Sequence, residues 1–200
     1  MDLIAKVNSY EKLDDYIKMG ANAFLFGIKD FSINSLTKLK IKDLKKIKTK
    51  YKNIKIYILI DKNMFNKDLE RLTKFLINVD KLNLEGIFFY DLAVYYIKEK
   101  YNLNTPLVWN QNYFVNNYKT CNYYYSKGIK YGVISNEITK EEIEKIVKNT
   151  KMNMFINTFG YQMMSYSKRK LVSNYFKFLK KINLSTHWFA GEGEIRDNTK

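Results

Sequence analysis

Ile56-Tyr57-Ile58-Leu59-Ile60 and Ile87-Phe88-Phe89-Tyr90 are apolar at every position. A strand with one face in water alternates apolar and polar residues. Unbroken runs therefore mark strands covered on both faces, as parallel strands are. Similar β-rich runs recur along the chain, and the reading places strands at Leu3–Val7, Ala23–Phe26, Ile54–Ile60, Gly86–Tyr90, Leu107–Asn110, Tyr131–Ser135 and Met152–Asn157.

Amphipathic stretches lie between them: Ser9–Met19, Thr37–Tyr51, Lys67–Lys81, Leu92–Lys100, Tyr118–Lys127 and Thr139–Val147. Ser9 and Thr139 stand where helix N-caps are expected, and Thr139-Lys140-Glu141-Glu142 reads as a capping box. Gly20 and Gly128 stand where a left-handed residue closes a helix. Strand–helix repetition at this spacing means a parallel sheet, either a barrel or a doubly wound open sheet. No G-x-G-x-x-G follows the first strand, so the phosphate fingerprint of dinucleotide folds is missing. About seven units fit before Gly160, fewer than the eight of a closed barrel. The expected organisation is one barrel domain over 1–184 and an irregular tail over 185–200.

Hydrophobic residues make up 46% of the 200 and charged residues 28%, an ordinary globular balance. No apolar run reaches the roughly 18–20 residues of a membrane span. The N-terminus lacks the pattern of a signal peptide. One cysteine, Cys121, excludes an intrachain disulfide and an all-cysteine metal site. These features lead to the expectation of a cytoplasmic protein with no membrane association. Net charge is +15, which makes a polyanion such as RNA the first partner to consider. Lysine is spread along the whole chain, so local clustering carries more information than the total.

Function in a parallel barrel collects at the C-terminal ends of strands. Asp61 and Asn63, Asp91, Asn110, Gln111 and Asn112, and Asn136 and Glu137 fall there. Glu137, Asp91, Asn110 and Gln111 are the candidate catalytic residues, with helix capping and turn formation as the competing roles for the acids and amides. The chain has no G-x-S-x-G, no H-E-x-x-H and no Walker loop, and its single histidine, His187, lies in the tail. No metal site and no cofactor is evident. From Tyr161 to Leu184 there is no acidic residue, and Lys168, Arg169 and Lys170 are interleaved with Tyr161, Tyr166 and Tyr175. Cations that neutralise phosphates beside rings that stack on bases suit an RNA surface. An amphipathic helix with its aromatics turned to a core gives the same pattern.

Phe159-Gly160-Tyr161-Gln162-Met163-Met164-Ser165-Tyr166-Ser167-Lys168-Arg169-Lys170 through Phe176 resembles the signature region of the collagenase-like peptidase U32 family, in its low-GC Gram-positive form. Other matches follow in order. Gly20-Ala21-Asn22-Ala23-Phe24-Leu25-Phe26-Gly27 resembles the family's G-A-D-A strand. Asp91-Leu92-Ala93-Val94 resembles its D-x-x-V. Trp109-Asn110-Gln111 with Asn117, and Ser135-Asn136-Glu137-Ile138-Thr139, resemble later motifs. The departures are specific: Phe159 replaces the histidine of H-G, Met163 the signature cysteine, Asn136 the arginine of R-E-L and Asn22 the aspartate of G-A-D-A. The family's later cysteine-bearing region has no counterpart after Leu184.

The resemblance implies an α/β fold, a parallel (β/α) TIM-like barrel that is incomplete. It also implies two activity classes: peptidase (hydrolase, protease) chemistry and RNA modification, in particular tRNA uridine hydroxylation. RNA modification is favoured here, with tRNA or another RNA as partner. Peptide-bond hydrolysis is the first alternative. A non-catalytic barrel pairing with a longer homologous subunit, or a homo-oligomer, is the second.

Overall fold

The structure, a computed structural model, describes residues 3–111, 114–160 and 169–181. It divides into two compact units, residues 1–160 and 161–200. The first holds seven strands in one all-parallel sheet whose spatial order is the chain order: β1 (Ile4–Lys6), β2 (Ala23–Gly27), β3 (Lys55–Ile60), β4 (Gly86–Phe89), β5 (Leu107–Trp109), β6 (Tyr131–Val133) and β7 (Asn153–Phe155). Helices α1 (Leu13–Lys18), α2 (Ile41–Lys50), α3 (Asn66–Asp80), α4 (Ala93–Lys100), α5 (Tyr118–Ser126) and α6 (Lys140–Asn149) fill the crossovers. The second unit holds α7 (Leu171–Lys181).

Side-chain parity explains the unbroken apolar runs. On β3, Ile56, Ile58 and Ile60 join the core beneath the helices, whereas Tyr57 and Leu59 join a second cluster with Ala23, Phe88, Val108 and Val133. Both faces of the sheet are thus buried, as the apolar runs require. The second cluster also shows that the sheet curls. Tyr57 on β3 and Phe155 on β7 are four strands apart, about 19 Å in a flat sheet. Their ring centroids are 6.1 Å apart, with Phe88 5.3 Å from Phe155 between them. The inner face has curled over, giving an incomplete TIM-like barrel of seven strands with a helix in each of the six crossovers. Among the described residues β1 pairs only with β2 and β7 only with β6.

Two expected helix starts move. Ser9 makes no side-chain cap bond, and Tyr10–Lys12 form a short 3-10 turn ahead of α1. Thr37–Lys40, read as the first turn of a helix, are not helical: Leu39 bridges Ile28, and α2 begins at Ile41. The reason is local. Thr37 Oγ1 accepts from Gly27 N at 3.2 Å and donates to Val7 O at 3.3 Å, which holds the segment against the ends of β1 and β2. Gly20 and Gly128 do close α1 and α5 with positive φ, and Thr139 Oγ1 accepts from Glu142 N at 3.4 Å.

Candidate functional site

In the first unit, strand parity fixes which residues face into the mouth. Ile4 packs with the inner cluster and Ala5 with the outer core, so Lys6 faces inward. By the same alternation Asp61 follows Leu59 on β3, Asn110 follows Val108 on β5, and Ser135 follows Val133 on β6. These four residues belong to the inward ring above the apolar cluster, which Tyr90, two residues after Phe88, and Asn157, two after Phe155, share by the same alternation.

Each is held differently. Asp61 is buried, and its carboxylate accepts from Ile33 N at 2.6 Å and Asn34 N at 3.0 Å, pinning the β2–α2 loop over the mouth. Ser135 is buried, and its Oγ accepts from Glu137 N at 3.3 Å. Asn110 is half-buried; its backbone N–H donates to Phe89 O at 2.9 Å. Lys6 is half-buried. Burial lowers the pKa of its ammonium, the charge of Asp61 opposes that shift, and Lys38 reinforces it. Lys38 is itself lowered by burial against the pull of Asp61, and its Nζ donates to the carbonyls of Ser32 and Ile33 at 2.5 and 3.3 Å.

The four candidate catalytic residues all lie on loops at this end, in distinct roles. Asp91 accepts from Met64 N at 2.7 Å through Oδ2 and from Ala93 N at 2.9 Å through Oδ1, so it both caps α4 and ties down the β3–α3 loop. Gln111 accepts from Trp109 Nε1 at 2.9 Å and donates to Tyr90 O, which joins the ends of β4 and β5. Glu137 is exposed beside Asn136, whose Oδ1 accepts from Asn157 Nδ2 at 3.1 Å. Asn110 alone stands inside the ring. Of the basic–aromatic candidates, Lys168, Tyr161 and Tyr166 lie outside the described residues, as does Asn112. Arg169 and Lys170 are exposed just before α7.

Sequence reading missed Lys6 and Lys38. Parity on β1 was the available signal: Ile4-Ala5-Lys6-Val7 places a charge on an otherwise apolar strand.

Cys121 is buried on α5, and burial pushes its thiol up to about 11. It is not a nucleophile near neutral pH. A cluster held by several cysteine thiolates does not fit these residues, because the chain has this one cysteine. Among the described residues no group of three His, Cys, Asp or Glu side chains is placed to hold a metal ion. No helix among them is long and apolar enough to cross a membrane.

Residues 8–183 match the model of peptidase family U32. Over 183 residues the chain is 26% identical to the tRNA hydroxylation protein P2 of Bacillus subtilis (strain 168), covering 90% of this chain and 59% of that protein. The chain therefore spans less than two thirds of that relative's length. Among solved structures, the U32 peptidase Mk0906 has a TM-score of 0.61 at 12% identity, over 96% of this chain and 82% of that one. A protein from Aquifex aeolicus VF5 has a TM-score of 0.58 at 11% identity, over 80% and 75%. At these identities the structural likeness speaks to the fold. The barrel, the ordered motifs and the family match agree, and the chain belongs to peptidase family U32.

Proposed function

We propose that this protein is an RNA-modification protein of the U32 family, acting on tRNA in a hydroxylation pathway, alone or as a subunit beside a longer homologue. The observation that carries the reading is the 26% identity over 183 residues to a protein named for tRNA hydroxylation. The mouth is compatible with it. Asn110 offers an amide donor and acceptor inside the ring, the chemistry that reads a base edge, above aromatic residues of the inner cluster. Lys168, Arg169 and Lys170 would hold backbone phosphates, with Tyr161 and Tyr166 stacking on bases. A tRNA substrate also places the protein in the cytoplasm.

The peptidase reading needs Asp91 and Glu137 to position a water. Both Asp91 oxygens are already engaged by backbone amides, and Glu137 is exposed to solvent. That favours a structural role for Asp91.

Changing Lys168, Arg169 and Lys170 together to glutamate should abolish tRNA retention in a filter-binding assay and flatten its salt dependence. Deleting the gene should remove a hydroxylated nucleoside from digested cellular tRNA, read by mass spectrometry. Unchanged retention together with an unchanged nucleoside profile rejects the reading. Cleavage of gelatin by the purified protein would favour the peptidase alternative.

A further inference from the structure

We infer that Lys6 is the anchor of an oxyanion-binding site inside the barrel mouth, taking a phosphate or carboxylate group of a ligand. This does not depend on the substrate being RNA.

Lys6 ends β1 on the inner face, one step above Ile4 in the apolar cluster. Its ammonium has no hydrogen-bond acceptor among the described residues. The nearby charges are Asp61 and Lys38, so one carboxylate faces two ammonium groups. That carboxylate is also shared: Ile33 N and Asn34 N each donate to one of its oxygens. Lys38 in turn is tied to the loop through two carbonyls. Asp61 and Lys38 thus do structural work on the β2–α2 loop, whereas Lys6 braces nothing.

The Lys6 ammonium is partly desolvated rather than sealed from solvent; burial disfavours its charged form, Asp61 opposes that and Lys38 adds to it. A partly desolvated cation over the mouth, beside a second cation and a single carboxylate, has the electrostatics of an anion site. A ligand oxyanion would accept a charge-assisted hydrogen bond from the Lys6 ammonium and balance the second cation beside it. The group could belong to a nucleotide phosphate or to a free carboxylate.

The test is calorimetric titration of the whole chain with inorganic phosphate, uridine 5′-monophosphate, uridine and benzoate, alongside thermal unfolding. Wild type should bind phosphate or benzoate, and Lys6→Met should weaken that binding by roughly tenfold or more, about 1.4 kcal/mol. Its melting temperature should stay the same or rise. Lys6→Arg should retain binding, and Lys52→Met, an exposed lysine at the far end of the sheet, should leave it unchanged. Tighter binding of the monophosphate than of uridine identifies a nucleotide phosphate as the source; a preference for benzoate identifies a carboxylate. The inference is overturned if wild type binds neither anion at millimolar concentration, if Lys6→Met binds as well as wild type, or if Lys6→Met and Lys6→Gln both melt well below it.

Discussion

Gly27 ends β2 where the returning loop crosses it. A Cβ there would lie 2.3 Å from Ser35 Cβ and 2.4 Å from Thr37 O, so the loop would have to lift. Gly27→Ala should therefore lose about 1–3 kcal/mol, measured by denaturant unfolding. Cys121 makes a second prediction at this scale. Its folded thiol is raised from 9.0 to about 11, so the stability it contributes is complete below pH 9 and lost as pH rises toward 11. Iodoacetamide should leave the native protein unlabelled at pH 8 and label it after denaturation. Cys121→Ala should flatten the fall in stability over that alkaline range. Some residue roles were legible early. Asp61 falls at the mouth from its position after a strand. Lys6 was not seen, because one lysine in a lysine-rich chain carries no compositional signal; the charge on an otherwise apolar strand marks it, and the opposite packing of Ile4 and Ala5 shows which way it points.

Helices and loops test the reading differently. Asn117 matched a family motif position, and the structure gives that position a physical role: its Oδ1 accepts from Thr120 N at 2.9 Å and Thr120 Oγ1 at 3.0 Å, capping α5. Asn117→Ala should cost about 1 kcal/mol and Asn117→Asp much less, compared by thermal unfolding. Asp91 shows the same principle at a candidate catalytic position. Asp91→Ala leaves Met64 N and Ala93 N without acceptors and should destabilise by about 1–3 kcal/mol, an effect a purely catalytic acid would not show. The strands were visible because continuous apolar runs have one physical cause. The start of α2 was not, because what holds Thr37–Lys40 out of the helix is a bond to Gly27, ten residues earlier and on another element.

Curling belongs to the first unit's sheet as a whole. It rests on rings that meet across the inner face, Tyr57, Phe88 and Phe155, with Tyr131 6.2 Å from Phe155. Phe155 is half-buried, so Phe155→Ala should cost about 1–3 kcal/mol, below the range for a fully buried phenylalanine. The exchange should also loosen β7, seen as faster amide hydrogen exchange there than in β3. The sequence foretold strand number and direction from repetition alone. It left barrel and open sheet as alternatives until family motifs were added, because curvature lies in contacts between strands far apart in the chain.

Every strand lies beside the strand that precedes it in sequence. A chain emerging from the ribosome can therefore lay each new unit against an edge that already exists, without waiting for a distant segment. The sheet can grow in one direction during synthesis, its newest strand always the exposed one. Sequential pairing also keeps each closure local, so no step carries the entropy cost of joining the two ends of the molecule until the inner rings meet. A ribosome stalled with α3 just clear of its exit tunnel should thus present a three-stranded sheet already resistant to protease, with β4 still to be added.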